Sequence, residues 1–277
     1  MYFTVGRFAD IADHFRRRSI SLGQEGFLGS LFTYHLRLRN TYSSLASLID
    51  NPNLSFLLEG AKGTGKARIA EEFVRLENIS RKLLSLEPTK YIKVDPKSRY
   101  DILLSLYQKD VLLTPSFFYF TKLESFSLNE QELLSRILRR QDYREQNYRI
   151  ALSCEESLVF MIQRGKILSE LVLCLKSHTF SVPRLSERFE DFCTLVNDLS
   201  QRYGAKKELP PQQVIDLLTR IDYPENIDSL AGLIKGAVTR NPHPSSWTPE
   251  FIEKIYPLAR PERTENILDF RERLRYQ

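Results

Sequence analysis

Residues 60 to 66 read Gly-Ala-Lys-Gly-Thr-Gly-Lys, and these types at this spacing suit the binding of a phosphate. Closely spaced glycines let the main chain curl until successive N–H groups point at one anion. Lys66 would reach the outer phosphates as a compact positive charge. A helix-like pattern follows, and its N-terminal amides and dipole would serve the same anion. The cradle so defined runs Gly60, Ala61, Lys62, Gly63, Thr64, Gly65, Lys66 and Ala67. It matches Gly-x-x-x-x-Gly-Lys, the P-loop pattern, whose next residue places a Ser or Thr hydroxyl on magnesium. Ala67 has no hydroxyl. The expected cofactor is therefore ATP or ADP, with magnesium bound weakly or not at all. The plainer alternative is a Gly-rich turn with no ligand.

Such a loop needs a strand before it and a helix after it. Leu54–Leu58 is a short apolar run suited to a buried strand, and Ile69, Ala70, Phe73 and Val74 recur at helical spacing. Residues 30 to 49 carry a looser helical period, closed by Asn51-Pro52-Asn53. Downstream, Tyr91–Asp95, Phe117–Phe120, Tyr148–Cys154 and His178–Val182 read as strands, with helices over Asp101–Tyr107 and Leu128–Arg140 between them. This alternation predicts an α/β fold with a parallel sheet covered on both faces. After Pro183 only helices follow: Ser186–Tyr203, a second opened by Pro210–Pro211, and Ile227–Thr239. The organisation expected is a helical lead-in over 1–25, an α/β nucleotide-binding core over 26–185, a helical lid over 186–245 and a short tail over 246–277.

The 277 residues are 42% hydrophobic and 27% charged, with a net charge of +5, which suits a soluble globular chain. No apolar run approaches the roughly 20 residues of a membrane span. The N-terminus has no apolar secretion segment, so a cytoplasmic location is expected. Cys154, Cys174 and Cys193 are odd in number and far apart, and read as reduced and mostly buried. No metal-ligand spacing of Cys and His occurs. The Arg139–Arg140 and Arg271–Arg275 clusters read as solvated helix faces, whereas Arg16–Arg18 suits either such a face or contact with nucleic acid or an acidic partner.

Beyond the loop, several segments resemble the central AAA+ domain of sigma-54-dependent transcriptional activators, in the family's order. The family loop reads Gly-Glu-Ser-Gly-Thr-Gly-Lys-Glu, so it too lacks the Ser/Thr after the lysine. Gly29-Ser30 sits at the family's Gly-x-Ser. Asn129–Leu138 resembles the helix after the Walker B strand. Leu158 and Gly165 keep the spacing that leads to the arginine fingers. Val182-Pro-Arg-Leu-Ser-Glu-Arg-Phe-Glu-Asp191 resembles Leu-Pro-Pro-Leu-Arg-Glu-Arg-x-Glu-Asp, and Tyr223-Pro-Glu-Asn-Ile-Asp-Ser-Leu230 resembles Trp-Pro-Gly-Asn-Val-Arg-Glu-Leu. The likeness covers roughly residues 25 to 252. It implies a P-loop AAA+ core with a helical lid.

The departures bear on chemistry. The resemblance places the Walker B Asp-Glu at Thr121 and Lys122, the sensor Asn at Glu155, the two arginine fingers at Leu168 and Cys174, and the lid's sensor Arg at Asp228. Glu124 is the nearest acid to the missing pair, and reads as a solvated loop carboxylate rather than a displaced catalytic one. Arg164 and Lys166 read as surface cations. Losing the acids, fingers and sensors together argues against turnover by this chain alone. The family's Gly-Ala-Phe-Thr-Gly-Ala loop, which meets sigma-54, is absent from the 96–116 segment. Direct DNA binding is not expected, since the tail after Asn241 has one helix candidate, about Glu262 to Arg275, and a helix-turn-helix needs two. No receiver domain is expected before the core. The function expected first is a nucleotide-dependent regulatory or scaffolding subunit that binds ATP without cleaving it, with protein partners that include itself or related AAA+ subunits. The alternatives are an interaction module with a relic loop, and an active ATPase that uses Glu124 with Arg164 or Lys166.

Overall fold

The computed structural model describes residues 27–49, 51, 54–108, 114–140 and 147–256. The chain divides between Arg184 and Leu185 into two units. The expected helices over 1–25 and 262–275 lie outside the described residues.

The first unit opens with a hairpin, β1 (Phe27–Leu28) and β2 (Leu31–Phe32), then α1 (Leu36–Ile49). A five-stranded sheet follows: β3 (Phe56–Glu59), β4 (Lys90–Val94), β5 (Ser116–Phe120), β6 (Tyr148–Cys154) and β7 (Thr179–Ser181). Between these strands lie α2 (Lys66–Leu83), α3 (Arg99–Gln108), α4 (Leu128–Arg139), α5 (Leu158–Gln163) and α6 (Ser169–Leu175). All pairings in this sheet are parallel, in the order β4-β5-β6-β3-β7. The central strands are buried on both faces, as a parallel sheet requires. Alternate residues serve alternate faces. Phe56, Leu58, Phe117, Tyr119 and Ala151 pack with α1 and α2, while Leu57, Phe118, Phe120, Ile150 and Leu152 pack with α3 to α6. The chain leaves β3 toward one edge and leaves β6 toward the other. Their carboxyl ends therefore bound a switch point, where open α/β sheets bind ligands.

The short hairpin has no period a sequence reading can detect. Its Gly29-Ser30 turn lies over the phosphate-loop helix, where Ser30 N–H donates to the buried Glu72 carboxylate at 2.6 Å and Arg75 Nε donates to it at 2.8 Å. Burial pushes the Glu72 carboxyl up, but these donors outweigh it and hold it below its ordinary value. A depressed carboxyl stabilises the fold above its unfolded pKa, and that stability fades as pH falls through the folded value. Glu72→Gln should therefore cost about 1–3 kcal/mol at pH 7. The gap between mutant and wild type in urea titrations should narrow below about pH 4.5.

The second unit contains α7 (Phe192–Arg202), α8 (Gln212–Arg220), α9 (Ile227–Arg240) and α10 (Pro249–Ile255). Val196, Val214, Leu218, Leu230, Ile234, Trp247 and Ile252 form its core. The helix expected from Ser186 starts only at Phe192. Two 3-10 turns, Leu185–Glu187 and Phe189–Asp191, precede it, because Arg188 leaves helical geometry at φ −121, ψ 45. There its Nε donates to Asp191 Oδ2 at 2.8 Å, and both side chains are buried. Asn226, at φ 52, accepts the Leu185 N–H at 3.0 Å, which gives the Pro-x-Asn resemblance a structural role. The Trp247 indole N–H donates to Asn241 O at 3.0 Å and brings α10 into this core.

Candidate functional site at the phosphate loop

The loop follows β3 directly. Gly60 N–H donates to Cys154 O at 3.2 Å and Glu59 O accepts from Val182 N–H at 2.7 Å, so both neighbouring strand ends grip its root. A Cβ at residue 60 would overlap the Val182 carbonyl oxygen, which is why only glycine fits there. Gly63 and Gly65 have φ of 72 and 96, the left-handed region that turns loop amides inward. Thr64 is buried, and its hydroxyl donates to Ala61 O at 2.9 Å. Lys66 opens α2, and its Nζ donates to Gly60 O and, at 2.7 Å, to Ala61 O. The ammonium is thus held over the loop by two of the loop's own carbonyls. Ala67 packs against the apolar core and offers no metal ligand. Gly60, Ala61, Lys62, Gly63, Thr64, Gly65, Lys66 and Ala67 form one continuous turn into the helix.

The strand ends beside the loop carry an unusual set of groups. β5 is followed by a half-buried Thr121 and an exposed Lys122 in left-handed geometry at φ 57. Glu124 is not a free loop carboxylate, because it is half-buried and its Oε2 accepts the Glu155 N–H at 3.3 Å. The Glu155 side chain is exposed. Glu59 Oε1 accepts the Leu158 N–H at 2.7 Å, at the start of α5. Burial pushes the Cys154 thiol well up; Glu59 and Glu124 push it further, and Lys66 pulls it back. These charges therefore act on one buried point at the switch between β3 and β6. Among the described residues, no group of three His, Cys, Asp or Glu is placed to hold a metal ion.

The positions that the resemblance matches to the arginine fingers are Leu168 and Cys174. Leu168 caps α6, and its N–H donates to the buried Gln131 Oε1 at 2.9 Å, while Cys174 is half-buried on α6. Gln131 also donates to Phe126 O at 3.1 Å and Lys166 O at 3.0 Å, which ties α4 to the α5–α6 connection. Arg164 and Lys166 are exposed and both face Glu156, at 3.6 and 3.0 Å. In the second unit, Asp228 lies exposed in the first turn of α9. Of the three thiols only Cys154 is buried; Cys193 is exposed. Sequence reasoning missed Glu59, although an acid closing a buried apolar strand was a visible anomaly. It also missed Gln131, which no local pattern marks.

Comparison with known proteins bears on this geometry. The Brucella abortus NtrX structure in complex with ADP aligns with a TM-score of 0.58 at 17% identity, over 90% of this chain and 62% of that one. The same protein in complex with ATP aligns with a TM-score of 0.58 at 18% identity, over 99% and 68%. A mutant of Thermotoga maritima RuvB gives 0.59 at 10% identity, over 85% and 73%. The chain thus spans 62% to 73% of the length of these structures, and at such identities they establish the fold. No curated protein sequence matches. The sigma-54 interaction domain model matches residues 37–185, which is more than half of the chain and includes the phosphate loop and every strand of the five-stranded sheet. On that ground the chain belongs to the sigma-54 interaction domain family, the AAA+ domains of sigma-54 activators.

Proposed function

We propose that this AAA+ protein binds ATP or ADP through Gly60–Ala67 and does not hydrolyse it, serving as a nucleotide-dependent regulatory or scaffolding subunit in transcription regulation. The observation that carries the reading is a contrast within one site. The loop has its glycine geometry and a preset Lys66. The positions that would perform hydrolysis hold Thr121, Lys122, Glu155, Leu168 and Cys174. Nucleotide fits the cradle, since Gly63 and Gly65 turn its amides inward and the N-terminus of α2 serves the same anion. Magnesium would be held weakly or not at all, because Thr121 and Lys122 stand where the resemblance expects carboxylates and Lys122 brings positive charge there. The protein partners are proposed to be further copies of this chain or related AAA+ subunits, which is how active relatives would meet it in a mixed ring. NtrX, solved with ADP and with ATP, supports the nucleotide assignment.

A second reading, active hydrolysis, draws on the half-buried Glu124 after β5. Phosphate release from saturating ATP and magnesium separates the two. Each missing hydrolytic group costs about 10²–10³ in rate. The expected result is bound ATP recovered intact, with turnover below roughly 10⁻³ per second. Measurable turnover that Glu124→Gln abolishes would establish the second reading instead.

A further inference from the structure

Helix α5 is six residues long. Only Leu158 and Met161 of it are buried, while Val159, Phe160 and Ile162 are 61%, 58% and 48% exposed. So short a helix is not stable on its own hydrogen bonds, because nucleation cost falls on too few residues. Its ends hold it. At the C-terminal end Gly165 turns left-handed, and the Gly165 and Lys166 amides return to Ile162 O and Met161 O. At the N-terminal end Ser157 Oγ accepts the Phe160 N–H at 3.3 Å and Glu59 Oε1 accepts the Leu158 N–H at 2.7 Å. The Glu59 bond is the shorter, and its acceptor is a carboxylate, which makes such bonds roughly twice as strong. Glu59 comes from 99 residues earlier in the chain. It is also the residue immediately before Gly60, with its main chain gripped by Val182. A shift at the loop root therefore carries to its side chain.

We propose that Glu59 is a positioning residue that couples the phosphate loop to α5, so that an anion at Gly60–Lys66 changes the hold on the Leu158 N–H and with it the exposed apolar side of α5. The coupling rests on the nucleotide-binding reading above. A polyphosphate competes with Gly60 O and Ala61 O for the Lys66 ammonium, and it places negative charge near the Glu59 carboxylate. Both act on the peptide between Glu59 and Gly60. Reciprocity requires that whatever loosens α5 also alters affinity at the loop.

Hydrogen exchange on the full chain, with and without ADP, tests this. In the wild type, ADP should slow exchange over residues 60–70 and change it at least about threefold over 155–163. Without ADP, Glu59→Ala should speed exchange over 155–163 roughly tenfold. With ADP, the same variant should show a protected loop and no response at α5. Glu59→Gln, which keeps an acceptor oxygen, should restore slow exchange. Glu59→Asp, one methylene short, should behave like Glu59→Ala and serves if that variant fails to fold. A protected loop with α5 unmoved in the wild type, or an α5 response unchanged in Glu59→Ala or Glu59→Asp, overturns the coupling alone. Protection of neither segment overturns the nucleotide reading, and the coupling with it.

Discussion

Lys66→Ala should weaken ADP binding to the full chain at least about 100-fold, as read by titration with a fluorescent ADP analogue. Two losses add. The outer phosphates lose their direct cation, and Gly60 O and Ala61 O lose the donor that holds the loop closed. The ligand must then order a loop that the wild type presents preformed, and that ordering is paid from binding energy. In thermal melts the same change appears as lost ligand stabilisation, about 2.3 kcal/mol for a roughly 100-fold loss at a ligand concentration about 100 times the wild-type Kd. The fold itself should hardly change, because Lys66 is not part of either core cluster. Equal affinity in mutant and wild type would make the loop a relic and leave the protein an interaction module.

The largest expected effect on stability lies elsewhere in the same unit. Arg149, the second residue of β6, is among the largest fully buried side chains. Its guanidinium donates to Leu48 O at 3.2 Å and Asn51 O at 2.8 Å, faces Glu77 at 3.7 Å, and lies 4.8 Å from the Phe73 ring centroid. Arg149→Met should lower the unfolding free energy by about 3–5 kcal/mol, because it strands a buried carboxylate and two carbonyls. Glu77→Gln should cost far less, roughly 1 kcal/mol, and the double mutant should recover part of the Arg149→Met loss. Burial pushes the Glu77 carboxyl above its ordinary value, more than Arg149 and Arg81 pull it down. A carboxyl raised in the folded state stabilises fully below its unfolded pKa, and loses that contribution as pH rises through the folded value. Without Arg149 the carboxyl is raised further. The cost of Arg149→Met should therefore be larger at pH 8 than at pH 5 in urea titrations, and a cost independent of pH would refute the pairing.

The two predictions differ in how visible their residues were. Lys66 stands out because its partners, Gly60 and Ala61, are six and five residues away and belong to one motif. Arg149 sits in a strand whose other residues are mostly apolar, and nothing local says whether it is buried or bent to solvent. The strands were legible for a similar reason to the loop. β6 runs Tyr148–Cys154 as its composition predicts, since a buried parallel strand needs an apolar run and little else. The segment from Ser186 misled because its helical period is real, yet the Arg188–Asp191 pair holds the first turns in another geometry.

By itself the sequence determined the glycine-and-lysine pattern of the loop and the alternation of strands and helices. These are properties of short segments, and local spacing decides them. Only the tertiary structure decided where the remaining carboxylates go. Glu124 reaches an amide 31 residues on, Glu59 one 99 residues on, and Arg149 a carbonyl 101 residues back. Such pairs exist because the parallel sheet brings the ends of β3, β5 and β6 together, with α1 packed on one face. Strand order and packing set those distances, and no local pattern in the chain encodes them.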